Sequence, residues 1–222
     1  MSATVGLLHT VPSLVPGFDS LVGAARPDLR RVHLADAWLL ETAVAVGVTD
    51  AVRAAVLSHV RHLVDEGAAA VLVTCSSIGE AADEAAAAVD VPVVRVDEAM
   101  AEEAVAAGTG PRRVAVLATL ASTLGPTARL VERAARAAGR DVRVVATVVP
   151  DAFEARAAGD RARHDQLVAQ AARDAAADAD VVVLAQASMA EAAERAALDV
   201  PVLSSPAGGV RRLLDAVGPA GR

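Results

Sequence analysis

One thiol is available to this chain. Cys75 stands in Val71-Leu72-Val73-Thr74-Cys75-Ser76-Ser77-Ile78, where an apolar, β-branched run stops at Thr74 and small hydroxyl residues lead into an alanine-rich helical pattern. That is the pattern of a strand, a tight turn and a helix start. A thiol at such a turn lies at the carboxyl edge of a parallel sheet, where α/β proteins bind their ligands. The neighbouring helix N-terminus offers free N–H groups that favour a thiolate and a bound carboxylate. The chemistry open to Cys75 is proton transfer or nucleophilic attack, and the plainer alternative is a small buried hydrophobe.

Little else in the composition competes with it. The chain has no lysine and no tyrosine, which removes Schiff-base chemistry, covalent pyridoxal phosphate and the P-loop lysine. Acid–base work falls to Cys75, five histidines and the carboxylates. His9 ends the first apolar run, close to the expected site, and is a candidate second base. His33 lies inside a strand pattern and reads as structural. His59 and His62 are spaced i, i+3 with no third ligand, so no metal site is expected. His164 reads as an exposed helix start. Asp36 and Asp97 read as caps, and Ser204-Ser205-Pro206 as the start of the last helix.

The Cys75 segment occurs twice. Val182-Val183-Leu184-Ala185-Gln186-Ala187-Ser188-Met189 lies over it with Gln186 on Cys75, Ser188 on Ser77 and Glu191 on Glu80. Asp90-Val91-Pro92-Val93 recurs as Asp199-Val200-Pro201-Val202. Upstream, Val5-Gly6-Leu7-Leu8-His9-Thr10-Val11-Pro12-Ser13 lies over Val114-Ala115-Val116-Leu117-Ala118-Thr119-Leu120-Ala121-Ser122. Strand–turn segments that recur in order at nearly constant offset mark a duplicated half.

The elements that must position these residues follow from periodicity. Strands are expected at Val5–Leu8, Arg31–Ala35, Val71–Thr74, Val91–Val94, Arg113–Leu117, Val142–Val148, Val182–Leu184 and around Pro201. Pro16-Gly17 reads as a turn, Asp36–Val48 as a loop holding Trp38, and Thr49 as the cap of a helix ending at Gly67. Helices follow from Asp97 to Ala107 and from Pro126 to Gly139. Gly108-Thr109-Gly110-Pro111 reads as the linker and Asp151–Arg163 as a polar loop or lid. The expected fold is α/β, two similar parallel-sheet halves related by a pseudo-twofold, with residues 1–97 plus 205–222 in the first and 98–204 in the second. The loops starting at His9, Cys75, Ala118 and Gln186 would then surround one cleft.

Composition excludes several classes. The net charge of −7, with no basic cluster or aromatic platform, speaks against nucleic acid as a partner. No run approaches the roughly 18 apolar residues of a membrane span. A single cysteine and the lack of a signal-peptide pattern fit a cytoplasmic protein.

This arrangement resembles the aspartate/glutamate racemase superfamily, which includes hydantoin racemases, maleate isomerase and arylmalonate decarboxylase. The resemblance rests on Thr74-Cys75-Ser76-Ser77 for the family's T-C-N-T, on Leu184-Ala185-Gln186-Ala187-Ser188 for its second motif, and on Leu117-Ala118-Thr119 with Ser122-Thr123 for its carboxylate-binding loop. It covers nearly the whole chain. It implies a cofactor-free enzyme acting on a small carboxylic or amino dicarboxylic acid, with Cys75 as acid/base, and it leaves a homodimer open. It also implies that Ser76, Ser77, Thr119, Ser122, Thr123 and Ser188 hold carboxylates or an enediolate, and that Pro12 and Ser13 line the same cleft. Gln186 stands where the family has its second cysteine. An amide does not exchange protons near neutral pH, so Gln186 is expected to donate a hydrogen bond, with racemisation or isomerisation the first reading. Decarboxylation through one thiol, and a carboxylate sensor without catalysis, are the alternatives.

Overall fold

The computed structural model describes residues 3–106, 110 and 112–218, with all their side chains but those of residues 193, 194 and 196. The expected linker residues Gly108, Thr109 and Pro111, and Ala107 at the expected helix end, lie outside the described residues. The chain divides into two units, Met1–Val96 with Pro206–Arg222, and Asp97–Ser205.

In the first unit the strands are β1 (Thr4–His9), β2 (Arg30–Ala35), β3 (Ala68–Val73) and β4 (Val93–Arg95). They form a four-stranded parallel sheet in the order β2-β1-β3-β4. In the second unit β5 (Arg112–Ala118), β6 (Val142–Val148), β7 (Val181–Leu184) and β8 (Val202–Ser204) form a parallel sheet in the order β6-β5-β7-β8. The two orders are the same order repeated. The correspondence reaches single hydrogen bonds. Thr74 N–H donates to the Leu8 carbonyl as Ala185 N–H donates to Leu117, and Asp36 N–H to His9 as Val149 N–H to Ala118. The halves therefore fold alike at the level at which the sequence repeats.

Parallel strands need crossovers, and alanine-rich helices supply them. They are α1 (Val15–Ala25), α2 (Ala37–Val46), α3 (Asp50–Asp65), α4 (Gly79–Ala86), α5 (Glu98–Ala106), α6 (Ala121–Ala137), α7 (Ala152–Ala157), α8 (Arg161–Ala176), α9 (Ala190–Ala196) and α10 (Ser205–Val217). In the first unit Val52, Val56, Val60 and Leu63 of α3 bury one stripe against β1 and β3. The second sheet carries apolar clusters that include Val114, Val116 and Val183 in one, and Leu117, Val182 and Leu184 in the other. Successive residues of a strand point to opposite faces, so both faces of that sheet are covered. Each fully buried aliphatic side chain contributes about 1.5–3 kcal/mol. Phe18 is the buried aromatic residue, while Trp38 and Phe153 are exposed.

Several local expectations are corrected. Pro16 and Gly17 lie in the first turn of α1, where proline loses no helical hydrogen bond. The segment with Trp38 is helix α2, not a loop. Asp36 caps it by accepting from Trp38 N–H at 3.0 Å, and its run of apolar residues hid the helical period. Helix α6 starts at Ala121, five residues before the proline expected to begin it, so Ser122 and Thr123 sit in its first turn. The polar stretch 151–163 holds α7 and the start of α8, capped by Asp160. His164 is fully buried, with Nδ1 2.9 Å from Asp165 Oδ1. A helix start and a buried face coincide there. Among the described residues no helix is long and apolar enough to cross a membrane.

Candidate functional site

Strand β3 and the three-residue 3-10 turn Ser76–Ile78 position Cys75, which is the residue capping that turn in extended conformation. The turn, rather than α4 itself, presents the donors. Cys75 is the free cysteine of the chain and is partly exposed. Burial of the thiol pushes its pKa above the ordinary value. Opposing that, weaker together, are hydrogen bonds from the Thr10 hydroxyl, the backbone N–H groups of Ser77 and Ile78, and the Ser77 hydroxyl. The N–H groups of the turn do favour a thiolate, as expected, and four donors surround the sulfur, but loss of water outweighs them. Burial thus favours the protonated thiol over the thiolate.

Around it the first edge is dense with hydroxyls. Thr10, Thr74, Ser76 and Ser77 are all buried. The Ser76 hydroxyl has no partner among the described residues, and an unmade bond at a buried hydroxyl costs about 1–3 kcal/mol unless a ligand or water completes it. Pro12 and Ser13 form part of the short turn after β1 and are exposed.

His9 is fully buried and ends β1. Its Nδ1 lies 3.0 Å from Thr74 Oγ1 and its Nε2 2.9 Å from His33 Nδ1. Burial first, and the facing His33 second, lower its pKa to about 4. Both ring nitrogens are engaged. His9 therefore joins the ends of β1 and β3 and has no free lone pair for a substrate proton.

The second unit builds the same edge with different chemistry. Gln186 caps the 3-10 turn Ala187–Met189 in the same extended conformation as Cys75. Its Oε1 accepts from Thr119 N–H at 2.6 Å and from Thr119 Oγ1 at 2.9 Å. A backbone N–H only donates, so the amide oxygen must face Thr119. The NH2 is then the donating end of the amide. Thr119 and Thr123 are buried, Ser122 and Ser188 partly exposed, and Ser122 Oγ has no partner among the described residues.

Sequence reasoning passed over Thr10. The signal was present, because Thr10 lies over Thr119 in the internal repeat. Both threonine hydroxyls reach the residue at the head of the next turn, Cys75 in one half and Gln186 in the other. Asp19, which holds His33, carried no such signal. His59 pairs with Asp36 at 2.8 Å, and among the described residues no three His, Cys, Asp or Glu side chains are grouped to hold a metal ion.

Comparison with known proteins adds three findings. The family described as Asp/Glu/Hydantoin racemase matches residues 13–213. A search of curated proteins finds no match. Among solved structures, the glutamate racemase isoform RacE1 of Bacillus anthracis is 19% identical with a TM-score of 0.73, over 95% of this chain and 80% of that one. The aspartate racemase of Picrophilus torridus is 14% identical with a TM-score of 0.73, over 97% and 94%. A glycine-to-cysteine mutant of arylmalonate decarboxylase, in its sulfate-associated form, is 24% identical with a TM-score of 0.61, over 99% and 95%. At these identities the structural likeness concerns the fold.

Proposed function

This chain belongs to the Asp/Glu/hydantoin racemase family, and from that premise we propose that it is a cofactor-independent enzyme acting at the α-carbon of a small carboxylic or dicarboxylic acid. Cys75 is the proton-transferring thiol. Gln186 is a fixed hydrogen-bond donor to a carboxylate or to the developing enediolate. The observation that carries the reading is the Cys75 sulfur ringed by the Thr10, Ser77 and Ile78 donors at the carboxyl edge of β3. The buried hydroxyls of Ser76 and Ser122, unpartnered among the described residues, supply further donors for carboxylate oxygens. On this reading Ser77, Thr119, Thr123 and Ser188 are further polar contacts to the substrate, and Pro12 and Ser13 are apolar and small contacts to it.

Racemisation or isomerisation is the reading the family supports. A second, decarboxylation, is favoured by one specific pairing. The thiol is held protonated, and the residue at the matching position is an amide whose oxygen is already bound. In that reaction the bond from the α-carbon to one carboxyl group breaks and carbon dioxide leaves. The electron pair remains on the α-carbon, delocalised into the second carboxylate. Cys75 delivers its S–H proton there, and water returns a proton to the sulfur. Two-sided racemisation needs a second proton-transferring group, which Gln186 is not and which His9, with both nitrogens bound, is not free to be.

The test is product analysis on a panel of 2-substituted malonates, α-amino acids and 2-hydroxy acids. Inversion seen by chiral chromatography supports racemisation, and carbon dioxide release with one enantiomer formed supports decarboxylation. Saturable binding of these acids with neither product, under conditions of full Cys75 alkylation protection, would make the chain a carboxylate sensor instead.

A further inference from the structure

A continuous hydrogen-bonded chain runs from the Cys75 edge to solvent: Thr74 Oγ1 to His9 Nδ1 at 3.0 Å, His9 Nε2 to His33 Nδ1 at 2.9 Å, and His33 Nε2 to Asp19 Oδ1 at 3.2 Å. Asp19 Oδ1 also accepts from Arg31 Nε at 2.7 Å. Exposure rises along it, from 0% at His9 to side-chain values of 17% at His33 and 45% at Asp19. The two imidazoles stack at 20° with centroids 5.2 Å apart, and Phe18 of α1 lies tilted against His9. The neighbouring charged groups are Asp19 from α1, Arg31 on the same strand, and the His59–Asp36 pair where α3 meets the end of β2.

Donor counting allows two directions. With His33 neutral, Thr74 O–H donates to His9 Nδ1, His9 Nε2–H donates to His33 Nδ1, and His33 Nε2–H donates to Asp19. One added proton makes His33 a cation that donates from both nitrogens. His9 must then accept at Nε2 and carry its hydrogen on Nδ1, donating to Thr74 Oγ1. The threonine hydrogen turns to the Leu8 carbonyl, which lies 3.1 Å away. Three hydrogens become four, His9 stays neutral, and every bond survives. Burial keeps His9 from taking the charge itself until well into acid.

We propose that His33 and Asp19 are positioning residues for the Cys75 edge: proton uptake at His33 from water reverses this chain, switches the His9 tautomer and redirects the hydroxyl of Thr74, the residue that precedes Cys75 at the end of β3. The proposal rests on the reading of Cys75 as the acting thiol, but its test uses no substrate.

Histidine 15N chemical shifts of the whole chain would be followed across about pH 5 to 8, where histidines change charge. The expected result is that His9 passes from the Nε2–H to the Nδ1–H tautomer with the midpoint of His33, without becoming a cation. The log rate of Cys75 alkylation by iodoacetamide should show an inflection at the same midpoint. His33→Gln keeps an acceptor for His9 and a donor for Asp19 but takes no proton. It should hold His9 in the Nε2–H tautomer and lose the inflection. Should that variant fail to fold, Asp19→Asn removes the carboxylate that His33 Nε2 faces at 3.2 Å and should displace both midpoints together. A His9 tautomer that ignores His33, or an alkylation profile unchanged in these variants, overturns the proposal. An inactive protein whose histidines behave as described would overturn the reaction and leave the switch standing.

Discussion

Burial sets the protonation of single residues at the first sheet edge. Loss of water raises the Cys75 thiol and lowers the His9 imidazole, so both are neutral near pH 7. For His9 this is also a statement about stability. Its folded pKa of about 4 lies below the ordinary 6.5, so the unfolded chain binds more protons between those values. Stability contributed by neutral His9 is complete above about 6.5 and is lost as pH falls towards 4, by roughly 3 kcal/mol. Denaturant midpoints of the wild type should therefore drop between pH 7 and pH 4.5 more steeply than those of His9→Gln. Equal slopes would show that His9 is not held neutral by the fold. The equivalence of Cys75 and Gln186 was readable from the sequence because their neighbours repeat, and both cap the same short turn. The state of the thiol was not, because the same turn supplies donors that favour the thiolate and packing that disfavours it more.

Elements position these residues through close contacts that glycine permits. In the first turn of α4, Gly79 lies against the guanidinium of Arg95, which is 4% exposed and bonded to Asp83 at 2.9 Å. Gly209 of α10 lies against the backbone of β4's successor Val96, whose carbonyl oxygen would stand 2.8 Å from an added Cβ. Backbone does not yield as a side-chain tip does, so Gly209→Ala should cost about 1–3 kcal/mol by thermal unfolding. Gly17→Ala in α1 meets nothing within 4 Å and should stabilise by about 0.5–1 kcal/mol. A reversed ranking would contradict these packings. Strands were readable as short β-branched runs bounded by Gly, Pro and Asp. Helix α2 was not, since Trp38, Leu39, Leu40, Val44 and Val46 leave no polar face to reveal a period, and its cap, Asp36, also ends a strand.

At the scale of the whole chain, two halves with the same strand order carry different residues at one equivalent position, Cys75 in the first and Gln186 in the second. The repeat that made the fold readable also shows which half lost or never had a thiol. Gln186→Cys puts a thiol in each half. On the present reading it should gain racemisation by about a hundredfold over the wild type, the order a positioned acid or base contributes. No gain on any substrate the wild type accepts would mean that the second edge does not serve the reacting carbon.

Deuterium incorporation tests whether the Cys75 sulfur moves the proton. In D2O, with an acid that the wild type turns over, NMR should show deuterium at the α-carbon of the product or recovered substrate. The Cys75→Ala protein, with circular dichroism and melting temperature unchanged, should incorporate none above the buffer rate. Incorporation by Cys75→Ala at the wild-type rate would contradict the account.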